Sequence, residues 1–156
     1  EKFFATFEDV DLGWRSWILG YKSVLVPKSI VYHVGGQTVN TFKNKIAFHG
    51  FKNQLAMKIT NFESRLILKV LFKFFLKYGI RESKIWFDYK INGKTKITPT
   101  KYESKFAAKP NFKIIFKSII WILKNFYYLR KKHIQVNKNR KISTTSLIKM
   151  NIMLKQ

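Results

Sequence analysis

The stretch EDVDLGWR at 8–15 places Glu8, Asp9 and Asp11 within four positions of one another. The chain carries 31 Lys plus Arg but only 8 Asp plus Glu, and four of those eight lie in the first eleven residues. Carboxylates gathered this way have two uses. In a first helical turn they are favoured by the positive end of the helix dipole, by about 0.3–1 kcal/mol each. Alternatively, one is a general base while a neighbour positions a basic or hydroxyl partner. Spacing alone leaves both open. His33 is the other side chain with chemical potential: it follows SIVY and precedes Gly35-Gly36, at the end of a predicted strand. There it is either a histidine packed against its neighbours or a metal ligand. His49 and His133 lie among basic and polar residues and are assigned no catalytic role.

These side chains need elements to hold them. Thr6 and Asp9 have the spacing of a helix-capping pair, Val10, Trp14, Trp17 and Ile18 recur at helical intervals, and Gly20 offers a stop. A short helix over about 7–19 is expected. YKSVLVP and SIVYHV then read as two β-rich runs split by Pro27. From about residue 45 the pattern turns helical. In FESRLILKVLFKFFLKYG, Arg65, Lys69, Lys73 and Lys77 recur every four residues and, at about 100° per residue, form one basic stripe on a largely apolar helix. NFKIIFKSIIWILKNFYYLRKK repeats the design with Lys113, Lys117 and Lys124 on one face. Neither stretch has the roughly 18 uninterrupted apolar residues of a spanning helix, so both are expected to lie in a membrane interface. Asn92-Gly93 inside IWFDYKINGKTKIT signals a hairpin over 85–98, and Ser143 to Ser146 offer a cap for a last short helix.

Composition limits the classes. With 46% hydrophobic and 17% aromatic residues the 156-residue chain should fold, and a net charge of +23 calls for a polyanionic partner. The absence of cysteine excludes disulfides, zinc-thiolate sites and cysteine nucleophiles. The opening EKFFATFEDVD reads like the interior of a domain, and the expectation is a fragment of a longer protein.

FFATFEDVDLGWRSWILGYKSVLVPKSIVYHVGGQT resembles the C-terminal edge of the catalytic domain of family 2 glycosyltransferases, inverting enzymes of GT-A fold. The matching elements are the aromatic-Glu-Asp-x-Asp-Leu-x-x-Arg run, Gly20-Tyr21, Val26-Pro27 and the Tyr32-His33-x-Gly-Gly ending. More loosely, Lys52-Asn53, RKKHIQ and RKIS resemble the C-terminal segment of rhamnosyltransferase-like members.

The resemblance implies an α/β fold class, with 1–44 as the C-terminal portion of a GT-A fold, 45–135 as a helical membrane-surface extension and 136–156 as a basic tail with a short helix. It implies a transferase that moves a sugar from a nucleotide-diphospho-sugar to a hydroxyl of a glycan or lipid-linked acceptor. Asp9 would be the base, with Glu8, Asp11, Arg15 and Trp14 supporting the acceptor or diphosphate. His33 would be a ligand to a divalent cation, Mn²⁺ or Mg²⁺. EDVD itself is not the family's metal-binding Asp-x-Asp, and no nucleotide-binding half is present, so the isolated chain is expected to be inactive. The expected location is the cytoplasmic face of the cell membrane, as a peripheral protein whose basic stripes meet an anionic surface. The competing classes are a basic nucleic-acid-binding protein, against which the wide apolar faces and the lack of a recognisable motif argue, and a non-catalytic membrane-surface protein.

Overall fold

The computed structural model describes residues 6–32, 43–92 and 112–152. Six helices follow in order: α1 (Glu8–Ile18), α2 (Lys43–Asn61), α3 (Ser64–Asn92), α4 (Phe112–Lys124), α5 (Phe126–Lys138) and α6 (Thr144–Lys149).

The expected α/β fold class is corrected here, because the described residues contain no strand and no sheet. The two β-rich runs span 21–27 and 29–34; residues 33–34 lie outside the described residues, and 21–32 are irregular and exposed throughout, with Ser29 N–H closing a turn onto the Val26 carbonyl around Pro27. A strand exists only when a neighbour takes up its backbone N–H and C=O groups. β-propensity in Val24, Val26, Ile30 and Val31 does not suffice when no described element offers that edge.

α1 forms where its periodicity places it, and its end follows a Schellman pattern. Tyr21 N–H reaches the Ser16 carbonyl at 2.9 Å and Gly20 N–H the Trp17 carbonyl at 3.0 Å, with Gly20 at φ +87°. Glycine fits this turn twice over: the left-handed backbone favours it, and an added Cβ would sit 3.2 Å from the Lys141 side chain. The start differs from the expected capping pair. Phe7 occupies the cap position without a side-chain bond, while Thr6 N–H donates to Glu8 Oε2 at 2.6 Å.

α2 packs against α1, α3, α4 and α5. Over 51–61 this helix shows no exposed residue, so polar residues as well as apolar ones are buried on it: Lys52, Asn53, Lys58, Thr60 and Asn61 beside Phe51, Leu55, Ala56 and Met57. Phe51 and Leu55 meet Phe74 of α3, and Leu71, Tyr78, Ile114 and Ile122 close over them. The rings of Phe51, Phe74 and Tyr78 lie 4.5–5.1 Å apart in tilted and edge-on pairs. Lys52 places its ammonium 4.4 Å over Trp121 of α4, so its charge is met by a ring face.

Two further expectations change. The hairpin over 85–98 would make 85–91 a strand, yet α3 continues to Asn92; residues 93–98 lie outside the described residues. Helical periodicity carries it there, because buried Val70, Phe74 and Ile85 continue one face of a single long helix. The second Lys-striped stretch is broken at Asn125, whose side chain turns back to bond the Trp121 carbonyl at 2.8 Å and separates α4 from α5. Ser143 caps α6 by accepting from Ser146 N–H at 3.1 Å.

Candidate functional site

The acidic cluster opens α1, and the helix divides it by direction. Glu8 and Asp9 are exposed, whereas Asp11, half a turn beyond Asp9, is buried. Among the described residues Asp9 bonds only its own chain neighbour, accepting from Val10 N–H at 2.8 Å. Asp11 accepts from the amide of fully buried Asn61 at 2.8 Å through Oδ1 and pairs with Arg15 at 2.7 Å through Oδ2. The i, i+4 spacing puts Arg15 one turn below its partner. Thr60 Oγ1 lies 3.1 Å from Asn61 Oδ1 and 3.0 Å from the Ala56 carbonyl, and its single proton serves one of them. A second tie comes from Asn53, whose Nδ2 donates to the Thr6 carbonyl at 2.7 Å just before the cluster. Two amides of α2 therefore hold the start of α1, and the carboxylates at 8 and 9 project from a fixed base.

Trp14 lies on the inner side of α1, its ring edge-on to Phe62 at 4.8 Å. Its Nε1, together with Arg15 Nε and Thr6 Oγ1, is shielded from solvent and meets no acceptor or donor among the described residues. Unmatched polar atoms are uncommon in folded interiors. These three are spread from the residue before α1 to its last turn.

The α1 C-terminus is anchored from the other end of the chain. Lys141 and Ile142 donate their N–H groups to the Ile18 carbonyl at 2.9 and 3.1 Å. That segment is locked in turn by Arg140, which donates to the Asn61 carbonyl, to Asn137 Oδ1 at 2.9 Å and to the Ile142 carbonyl at 3.1 Å. Glu63 accepts from both the backbone N–H and the hydroxyl of Thr144 and faces Arg140 at 3.8 Å. Burial alone would raise the Glu63 carboxyl, but the two Thr144 bonds and the Arg140 charge outweigh it and hold the group below its usual range. Asn61 thus touches both networks: its side chain holds Asp11 and its carbonyl holds Arg140.

Neither Asn61 nor Arg140 was singled out from sequence. Asn61 lies 50 positions from Asp11 and Arg140 lies 79 from Asn61, and no local spacing reports such contacts. His133 has a structural place as well, with Nδ1 2.9 Å from the Ile59 carbonyl and Nε2 3.0 Å from Ser64 Oγ.

His33 lies outside the described residues. Among the described residues no three His, Asp or Glu side chains gather into a group able to hold a metal ion, and Asp11 is already committed to Arg15 and Asn61. By themselves the described residues do not assemble a divalent-cation cage.

Arg65, Lys69, Lys73 and Lys77 are exposed along α3, and Lys113, Lys117 and Lys124 along α4. The acidic α1 start and these stripes belong to different elements. No described helix is long and apolar enough to cross a membrane.

No protein-family model, no curated protein and no solved structure matches the chain. The functional reading therefore rests on the residues and their geometry.

Proposed function

We propose that the chain supplies the proton-accepting carboxylate of a glycosyltransferase, with Asp9 as the base. The observation that carries the reading is the division of the acidic cluster: Asp11 is spent on Arg15 and Asn61, and that anchorage presents Asp9 to solvent on a helix start that cannot swing. A base is useful only if held within hydrogen-bond reach of the proton it takes.

In the reaction, an acceptor hydroxyl placed against Asp9 gives its proton to the carboxylate while its oxygen attacks the anomeric carbon of a nucleotide-diphospho-sugar. The bond from that carbon to the diphosphate oxygen breaks on the opposite face, the electron pair leaves with the diphosphate, and configuration inverts. Glu8, tied to Thr6 N–H, stands beside Asp9 as a second acceptor for the incoming hydroxyl groups of the glycan or lipid-linked substrate. Arg15 and Trp14 position the helix through Asp11 and Phe62. The resemblance of 7–15 to the family 2 motif supports the assignment of roles, and the anchorage of α1 supports its geometry. Neither requires that the described residues form a sheet.

The test is transfer from a panel of labelled nucleotide-diphospho-sugars to lipid-linked and glycan acceptors, with the protein produced from its native gene. Asp9→Asn keeps the shape and removes the proton acceptor, so transfer should fall by about 10²–10⁴. Unchanged transfer in Asp9→Asn, or no transfer with any donor, would overturn the proposal.

A further inference from the structure

The inner arc of α3 is filled: Val70, Phe74 and Ile85 are buried, and Leu71, Phe75 and Tyr78 pack on the core. Its outer arc over the first five turns is half apolar and half basic. Leu68, Phe72, Leu76 and Ile80 are 82%, 69%, 51% and 49% exposed, and at four-residue spacing they form one continuous row. Beside that row, one residue on in each turn, run Lys69, Lys73 and Lys77, with Arg65 one turn before them. At about 1.5 Å per residue the row is about 18 Å long. Contiguous exposed apolar surface of this kind marks an interaction face, whereas scattered single residues do not.

Charge selects the partner. Between 64 and 81 there are five Lys or Arg and no Asp or Glu, on a chain of net charge +23. A second copy laid on this face would set lysine row against lysine row. A nucleic acid would satisfy the cations and leave four large aliphatic and aromatic side chains in water. An anionic bilayer meets both halves, with phosphate headgroups on the lysines and the acyl boundary for Leu68, Phe72, Leu76 and Ile80. α4 repeats the pairing outside its buried Ser118: exposed Phe112, Phe116 and Leu123 each precede an exposed lysine.

We infer that the outer face of α3 over 65–80 is a docking surface for an anionic lipid bilayer, lying parallel to the membrane plane. The inference is independent of the transferase reading, because none of these residues belongs to the α1 site.

Flotation with vesicles of phosphatidylcholine and phosphatidylglycerol at 7:3, compared with phosphatidylcholine alone, tests it on the whole chain. The protein should float with the anionic vesicles and much less with the neutral ones. Lys69→Glu/Lys77→Glu should weaken binding at least about 25-fold, from about fivefold per lysine. Phe72→Ser/Leu76→Ser should weaken it by about tenfold per side chain. Because the chain has no cysteine, Leu76→Cys carrying a polarity-sensitive fluorophore reads insertion directly. Its emission should shift to the blue on anionic vesicles, while the same label at exposed Thr145 on α6 should not move. Three results would overturn the inference: no preference for anionic vesicles, unchanged binding in Phe72→Ser/Leu76→Ser, or a wild-type dimer in solution that the same substitutions dissolve.

Discussion

Asp11→Ala separates anchorage from chemistry. Removing the carboxylate leaves the fully buried Asn61 amide without its acceptor, a loss of about 1–3 kcal/mol. The Arg15 pair adds less, because the guanidinium side chain is 31% exposed and solvent screens it, so about 0.5–1 kcal/mol is a fair value. The first-turn charge contributes about 0.3–1 kcal/mol more through the helix dipole. The sum is about 3 kcal/mol, which for a chain of this size lowers Tm by about 9 °C. Urea unfolding followed by tryptophan fluorescence gives the value, with Trp14 seated on Phe62 as one of the reporters. Asp9→Ala removes only a bond to the adjacent N–H and the same dipole term, so it should cost about 1 kcal/mol or less. A double-mutant cycle of Asp11→Ala with Asn61→Ala should show coupling of about 1–2 kcal/mol. If Asp11→Ala costs no more than Asp9→Ala, or the cycle shows no coupling, Asp11 is not the anchor and the division of roles collapses.

Two further outcomes concern pH. Burial, aided by the nearby Lys77 charge, lowers the Lys58 ammonium from 10.5 to about 8, so the folded chain binds that proton more weakly than the unfolded chain. Its contribution should therefore be least favourable below pH 8 and improve between about 8 and 10.5. Lys58→Met should flatten that rise and stabilise the protein near neutrality, as unfolding titrations against pH would report. Glu63 is held below its usual range, so its contribution is present above about pH 4.5 and lost as pH falls through its folded value. Glu63→Gln should cost about 1–2 kcal/mol at pH 7 and progressively less as pH falls below about 4.5, with faster hydrogen exchange in α6 as its local signature.

The parts of this structure legible in sequence are those decided locally. α1 follows from its apolar spacing and Gly20, the Lys rows of α3 and α4 from a four-residue repeat, and the α6 cap from Ser143. The expected sheet failed because strand formation is a property of pairs: Val24, Val26, Ile30 and Val31 prefer extended backbone but meet no partner edge among the described residues. Residues 85–92 continue the helical face that buries Ile85, while Gly93 and the rest of the expected hairpin lie outside the described residues, and Asn125 breaks a periodic stretch through its own side-chain bond. In the candidate site, Glu8, Asp9, Asp11 and Arg15 were visible as a motif. Which carboxylate would be consumed was not, because Asn61 decides it from another helix.

The central claim is that Asp9 is an exposed base on a fixed helix start. The most direct measurement is the transfer rate of Asp9→Asn set beside its unfolding free energy, in the protein produced from its native gene. Transfer should fall by about 10²–10⁴ with stability changed by about 1 kcal/mol or less. Full transfer in a folded Asp9→Asn protein, or a loss of transfer matched by a loss of folding, would contradict it.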